Sequence, residues 1–261
     1  MTTRPAPALF LGHGSPMNAL SDNGFTRAWR GLSDRIGKPA AILCISAHWE
    51  TKGTLVTAAQ SPRTIHDFYN FPPALYAMRY PAPGSPALAK RIEAMLAPHA
   101  RADLDSWGLD HGAWSVLAFL YPEADVPVLQ LSMDIRRTPP EHLAIGRALA
   151  SLRDEGVMIL GSGNIVHNLR VPRGPDVPTP DWARRFDAGV TRAVLAGERE
   201  ALADPAAIDA EWRMAVPEAE HYLPLLYVMG AARPEDAVEV PVCDVQGGIA
   251  MTSFAFGLPP A

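Results

Sequence analysis

The sequence predicts an α/β fold: a central sheet, mostly parallel or mixed, covered by helices on both faces and finished by a C-terminal β-hairpin. Three observations carry that expectation. Short apolar runs alternate with segments of helical spacing, the rhythm of β-loop-α-β units. Those runs are continuously hydrophobic, as strands are when both faces of a sheet are covered. Finally, 48% of the 261 residues are hydrophobic, enough for one large core, so residues 1–261 are read as a single domain.

Taken in order, the first strand runs from Ala6 to Leu11 and ends at Gly12-His13-Gly14-Ser15-Pro16. Phe25, Trp29, Leu32 and Ile36 recur at helical spacing up to Gly37, and a second strand, Ala40 to Ser46, ends at Ala47-His48-Trp49. Residues 60 to 84 break the rhythm, because His66, Asp67, Phe68, Tyr69, Phe71, Pro72, Pro73 and Tyr76 crowd together. That stretch is too proline-rich for a regular element and too aromatic for a solvated loop, and reads as a loop folded over a cleft. Ser85-Pro86 starts an amphipathic helix carrying Leu88, Ile92, Met95 and Leu96, and Asp110 is the N-cap of a helix carrying Trp114, Leu117 and Leu120. Val126 to Leu131 is a buried strand, and a helix follows from about Pro140 to Arg153, stopped by Gly156. Val157 to Leu160 is the next strand, opening into Gly161-Ser162-Gly163-Asn164-Ile165-Val166-His167. A proline-rich connection spans 171 to 181, helical segments fill roughly 181 to 230, and the alternation Val238, Val240, Val242, then Gly247-Gly248, then Met251, Ser253, Ala255 is the terminal hairpin.

The net charge of −5, with no lysine or arginine run, points away from nucleic acid and from anionic membrane surfaces. No apolar stretch is long enough to span a bilayer, and Met1-Thr2-Thr3-Arg4-Pro5 has no signal-peptide pattern, so a cytoplasmic protein is expected. Cys44 and Cys243, the two cysteines, make neither a disulfide framework nor a thiolate-rich metal site. Nothing in the sequence specifies an oligomeric state.

Three of the eight histidines share an address. His13, His48 and His167 each lie at, or a few residues past, the end of an expected strand, in a turn of small residues. Ligands of open α/β sheets bind outside the carboxyl ends of the strands, so these side chains can converge. Imidazole is the commonest metal-ligand side chain, and sets of three histidines build catalytic sites with open positions. The competing interpretation is a turn histidine bonded to backbone, which would be preferred for any one alone. His221 is a fourth candidate, since Pro224 is tolerated only near a helix start and puts His221 at or just before an N-terminus. Glu220 is its nearest carboxylate. Neighbouring side chains on a helix diverge by about 100°, so the two are not expected at one ion. His111, after the Asp110 cap, is a candidate acid/base or substrate contact, and His66 a substrate contact from the aromatic loop. His99 and His142 are assigned no function. Gly161-Ser162-Gly163-Asn164 lacks the full dinucleotide fingerprint, and no Gly-x-Ser-x-Gly elbow stands at a strand end.

Leu11-Gly12-His13-Gly14-Ser15-Pro16-Met17, Ser46-Ala47-His48-Trp49, His66-Asp67-Phe68-Tyr69-Asn70-Phe71-Pro72 and Asp110-His111-Gly112-Ala113-Trp114 resemble motifs of the 4,5-DOPA extradiol dioxygenase family. Gly161 to Leu169 and His221-Tyr222-Leu223-Pro224-Leu225 continue the resemblance in order, nearly end to end. It implies a class III extradiol catalytic domain, related to the protocatechuate 4,5-dioxygenase catalytic subunit, that opens the ring of a catechol with dioxygen. By the same resemblance His13, His48 and His221 hold the metal, and His167 is either a further ligand or the catalytic acid/base. His111 is implied as a second catalytic histidine, and the loop with His66 and Phe71 as the shape of the substrate pocket. Asn70 stands where many relatives carry glycine. The implied metal is Fe(2+) for catalysis, or Zn(2+) as purified, since an all-histidine set suits zinc while iron oxygenases usually include a carboxylate. Two other interpretations of these histidines are a zinc-dependent hydrolase or lyase, and a metal store with a closed coordination shell.

Overall fold

Strands β1 (Ala8–Gly12), β2 (Ala41–Ser46), β3 (Val128–Gln130), β4 (Val157–Gly163), β5 (Val238–Val242) and β6 (Ser253–Phe256) form one sheet in the order β3-β2-β4-β1-β6-β5. The computed structural model describes residues 4–172 and 177–260. β3, β2, β4 and β1 are mutually parallel, whereas β6 runs antiparallel to both β1 and β5, so the sheet is mixed.

Strand alternation divides the core in two. Phe10, Leu43, Ile45 and Ile159 point into one apolar layer, and Leu9, Leu11, Ile42, Cys44, Met158 and Leu160 into the other. The first layer is closed by helices α2 (Pro86–Met95), α4 (Pro139–Leu149), α5 (Asp181–Ala196) and α6 (Leu223–Ala231), the second by α1 (Gly24–Ile36) and α3 (His111–Leu120). α4 and α6 cross very closely: a Cβ on Gly146 would lie 2.3 Å from the Tyr227 carbonyl, and one on Gly230 2.4 Å from that of Leu143. The capping chemistry is local. Asn23 and Thr26 form a capping box on α1, and the Asp110 side chain accepts the Ala113 N–H on α3.

The boundaries differ from expectation in two places. The helix expected to run to Arg153 ends at Leu149 and tightens into a 3-10 turn, Ala150–Glu155, closed by the Gly156 N–H on the Arg153 carbonyl. That turn carries Arg153 into the interior, where it forms a two-pronged ion pair with Asp236 and donates to the carbonyls of Ala6 and Ala231. The loop of residues 60 to 84 is not wholly irregular: Pro73–Ala77 is one helical turn, because proline is tolerated at a helix start. The stretch from 181 to 230 is helical in pieces, α5 and α6 being separated by the short turns Arg199–Leu202, Pro205–Ile208 and Trp212–Ala215. Residues 173–176 of the proline-rich connection lie outside the described residues. The C-terminal hairpin is present: β5 pairs with β6, and Val245–Gln246 with Ile249–Ala250 across Gly247-Gly248. Among the described residues no helix is long and apolar enough to cross a membrane.

One buried carboxyl makes stability depend on pH. Asp187 on α5 is 6% exposed, and its Oδ1 has no hydrogen-bond partner among the described residues. Burial, with the Asp244 carboxylate nearby, pushes it up to about 6. The folded chain therefore holds this proton more tightly than the unfolded one, and stability falls as pH rises from about 4 through 6. Asp187→Asn should be more stable than the parent by about 1–3 kcal/mol at pH 8, with the difference fading below pH 4. Denaturant titrations at the two pH values check this, and equal midpoints at pH 8 contradict it.

Candidate metal centre and active site

The site lies at the carboxyl ends of the three central parallel strands. His13 directly follows β1, His48 lies two residues past β2, and Ser162-Gly163 close β4. The strand ends are tied across the gap, His13 N–H to the Gly163 carbonyl and Ala47 N–H to that of Ser162. Two further elements reach in. The Asp110 cap starts α3 at His111, and a turn ahead of α6 brings in His221, whose carbonyl accepts the Asn164 N–H at 2.9 Å. Gly163 makes that approach possible, since a Cβ there would lie 2.2 Å from the His221 carbonyl oxygen.

His13, His48 and His221 meet. Their ring centroids lie 5.0 Å (His13–His48), 5.3 Å (His13–His221) and 5.0 Å (His48–His221) apart. His111 belongs to the same cluster, 4.0 Å from His48 between ring centres, and ligand atoms of His13, His48 and His111 all lie within 4.8 Å of one another. His167 is brought in as well, but on the outer side. Its ring stacks on His221 at 3.4 Å and 11°, and it groups with Glu220 and His221.

Hydrogen bonds set which nitrogen carries a proton on His13, His111 and His221. The single Ser162 hydroxyl proton goes to the Gly112 carbonyl at 2.5 Å, so Ser162 Oγ accepts from His13 Nδ1, 2.9 Å away. Asp67 Oδ2 accepts from His111 Nδ1 at 2.9 Å and faces His48 Nδ1 at 3.4 Å. Glu220 Oε1 accepts from His221 Nδ1 at 3.0 Å. Glu220 and His221 were expected to diverge, as on a helix. They sit in the turn before α6, where the two side chains meet, one supporting the other.

In their neutral forms His13, His111 and His221 therefore carry their lone pairs on Nε2. Burial, followed by the neighbouring imidazoles, holds His13 and His221 well below the usual histidine range, and burial with His111 beside it pushes His48 down to about 3. These rings are neutral at physiological pH. Burial alone would raise the Asp67 carboxyl, but the His111 hydrogen bond and the two imidazoles beside it outweigh that and hold it low. His13 Nε2 and His48 Nε2 stand 3.1 Å apart. At that distance either His48 Nε2–H donates to the His13 Nε2 lone pair, or both lone pairs face a shared cation. Two nitrogens bound to one ion at about 2.05 Å and the tetrahedral angle are about 3.3 Å apart. The donor set fits a divalent metal: oxygens hold the far nitrogens of His13, His111 and His221, and Asp67 stands 3.4 Å behind that of His48, the support metal-binding histidines use.

The aromatic loop covers this cluster. Phe68 packs edge-on against His111 at 5.6 Å and against Phe71 at 5.2 Å, and Trp114 Nε1 donates to the Ile65 carbonyl. His66 lies within the loop's own packing, its Nε2 donating to the Met78 carbonyl at 3.1 Å, with Phe68, Tyr76 and Trp114 around its ring. His142 is buried and bonded to the Tyr227 hydroxyl. Sequence reasoning passed over Asp67 and Ser162. Both stand inside quoted motifs, but only the fold reveals which histidine each one holds.

Residues 7–247 match the protein family described as the catalytic LigB subunit of aromatic ring-opening dioxygenase. The chain is 47% identical to the 4,5-DOPA dioxygenase extradiol of Escherichia coli (strain K12) over 98% of its own length and 97% of that protein's. It is 40% identical to the 4,5-DOPA dioxygenase extradiol of Beta vulgaris, over 92% of each. The fold is similar to the crystal structure of an uncharacterized protein from Escherichia coli K12, with a TM-score of 0.84 and 42% identity, covering 97% of this chain and all of that one.

The close seating of His221 on Gly163 leads to a paired test. Gly163→Ala should lower stability by about 1–3 kcal/mol and displace His221. Gly31→Ala, exposed in mid-α1 with open space where its Cβ would go, should raise stability by about 0.5–1 kcal/mol. Denaturant titration of both variants reads the contrast, and a neutral Gly163→Ala contradicts the packing described.

Proposed function

The chain belongs to the family of the catalytic LigB subunit of aromatic ring-opening dioxygenases and is an extradiol dioxygenase; on that premise we propose that it opens a catechol-type, DOPA-like ring with dioxygen at a metal held by His13, His48 and His221. The observation that carries this reading is the approach of His13 Nε2 and His48 Nε2 to 3.1 Å within a largely buried cluster of histidines. His111 is the alternative third ligand, because its ligand atom falls within the same 4.8 Å group.

A bound divalent ion would acidify a catechol hydroxyl and, as ferrous iron, supply electrons to dioxygen; zinc fits the same nitrogens and supplies only the first. His167 is assigned the acid/base role. It is part-exposed, stacked outside the tight cluster, and braced by its backbone N–H on the Ala215 carbonyl. Imidazole exchanges protons near neutral pH, which suits a group that takes the hydroxyl proton and later returns it. His111, clamped by Asp67, offers its Nε2 lone pair toward the reacting oxygens. Phe71 and His66 belong to the loop that shapes the pocket and limits water. Both oxygen atoms end in one product, an aldehyde at one end and a carboxylate at the other, because the bond broken lies beside the hydroxyls and not between them.

The family match favours an oxygenase over a hydrolase or lyase built on the same histidines. A metal store has no use for an aromatic loop over an open cluster. Two unpaired cysteines, Cys44 buried and Cys243 exposed, fit work in the cytoplasm.

Protein loaded anaerobically with ferrous iron, then given DOPA and air, should form a yellow ring-opened semialdehyde, and the zinc-loaded form should not. His167→Ala should keep its metal and lose turnover by about 100-fold or more. A colourless dicarboxylate, or no consumption of catechol by the iron form, would sink the reading.

A further inference from the structure

Asp67 lies in the covering loop, apart in sequence from the strand ends, helix start and turn that carry the histidines. Its carboxylate nonetheless accepts two hydrogen bonds from His111 and stands beside a ring nitrogen of His48. Oδ1 accepts the backbone N–H of His111 at 2.9 Å, Oδ2 accepts His111 Nδ1 at 2.9 Å, and the same Oδ2 faces His48 Nδ1 at 3.4 Å. The flanking Phe68 packs on His111.

We propose that Asp67 is the positioning residue of the centre, locking His48 and His111 as Nδ1–H tautomers so that both Nε2 lone pairs face the reacting space, and tying that choice to the seating of the aromatic loop. The claim about metal affinity rests on the reading of the cluster as a metal centre; the claim about tautomers does not.

The chemistry is asymmetric. A carboxylate has only acceptors, so every proton on the two rings nearest to it must point toward it. Asparagine has one oxygen and one NH2 group. The His111 backbone N–H requires the oxygen on its own side, which turns the NH2 toward the two imidazoles. Each ring must then present its lone pair to residue 67 and its N–H to the cluster. Shape and fold survive, while the His48 nitrogen that would bind the metal and the His111 nitrogen beside it are capped by protons. An aspartate that only closed the loop would be replaced by asparagine with little consequence, since one oxygen still serves the backbone.

The test uses the whole chain with 15N-labelled histidine, zinc as the metal probe and a chelator of known affinity as competitor. In the parent protein the ring resonances of His48 and His111 should report Nδ1–H. In Asp67→Asn the protons should move to Nε2, and zinc affinity should fall by about 10–100-fold, with the thermal midpoint close to the parent's. Unchanged tautomers in Asp67→Asn overturn the proposal whatever the affinity. Should that variant fail to fold, the parent spectrum decides: Nδ1–H on both rings supports the assignment and Nε2–H on either refutes it. A parent protein that takes up no zinc removes the metal reading, and the tautomer comparison still judges Asp67.

Discussion

Everything in this molecule that bears on chemistry depends on one constraint: several imidazoles must be buried together without being charged. A protonated ring at His13, His48 or His221 would face both desolvation and its neighbours. The fold meets the constraint by giving each ring an oxygen behind it, the Ser162 hydroxyl for His13, Asp67 for His48 and His111, and Glu220 for His221. At His13, His111 and His221 the proton is held at the rear and the neutral ring's lone pair is left in front. Such a cluster is poorly satisfied by itself and well satisfied around a cation.

The sheet makes this arrangement possible. Adjacent parallel strands β2, β4 and β1 end at one level, and the small residues beyond them let neighbouring chain come very near. Gly163 admits the His221 carbonyl and Gly112 admits Ser46 and His48, where a Cβ would meet the Ser46 hydroxyl at 2.4 Å. Asp110, wholly buried, fixes the start of α3 by accepting from Ser46, Trp107, Gln130 and Ala113, and thus sets where His111 points. Burial raises its carboxyl, so this network is sensitive to loss of any donor.

Much of this was legible beforehand because it rests on local patterning. Continuous apolar runs announced β1, β2 and β4, Asp110 announced α3, and Pro224 announced the start of α6 and so the place of His221. The histidines at strand ends could be grouped because parallel strands share an end. What escaped was whatever depends on contacts distant in sequence. Asp67 reaches His111 across 44 positions and Ser162 reaches His13 across 149, and neither pairing leaves a periodic trace. The contact of Glu220 with His221 escaped for a different reason: helical divergence was applied to a pair that lies in the turn just ahead of α6. The end of α4 was overrun because a 3-10 turn has nearly the same apolar spacing as the helix it continues.

X-ray absorption at the metal edge of protein reconstituted with one equivalent of zinc or ferrous iron tests the central claim most directly. The account predicts one ion per chain in a shell of nitrogen and oxygen only, with the outer scattering of at least three imidazoles, reduced by one in His13→Ala. A shell containing sulfur, or one with fewer than two imidazoles, would contradict it.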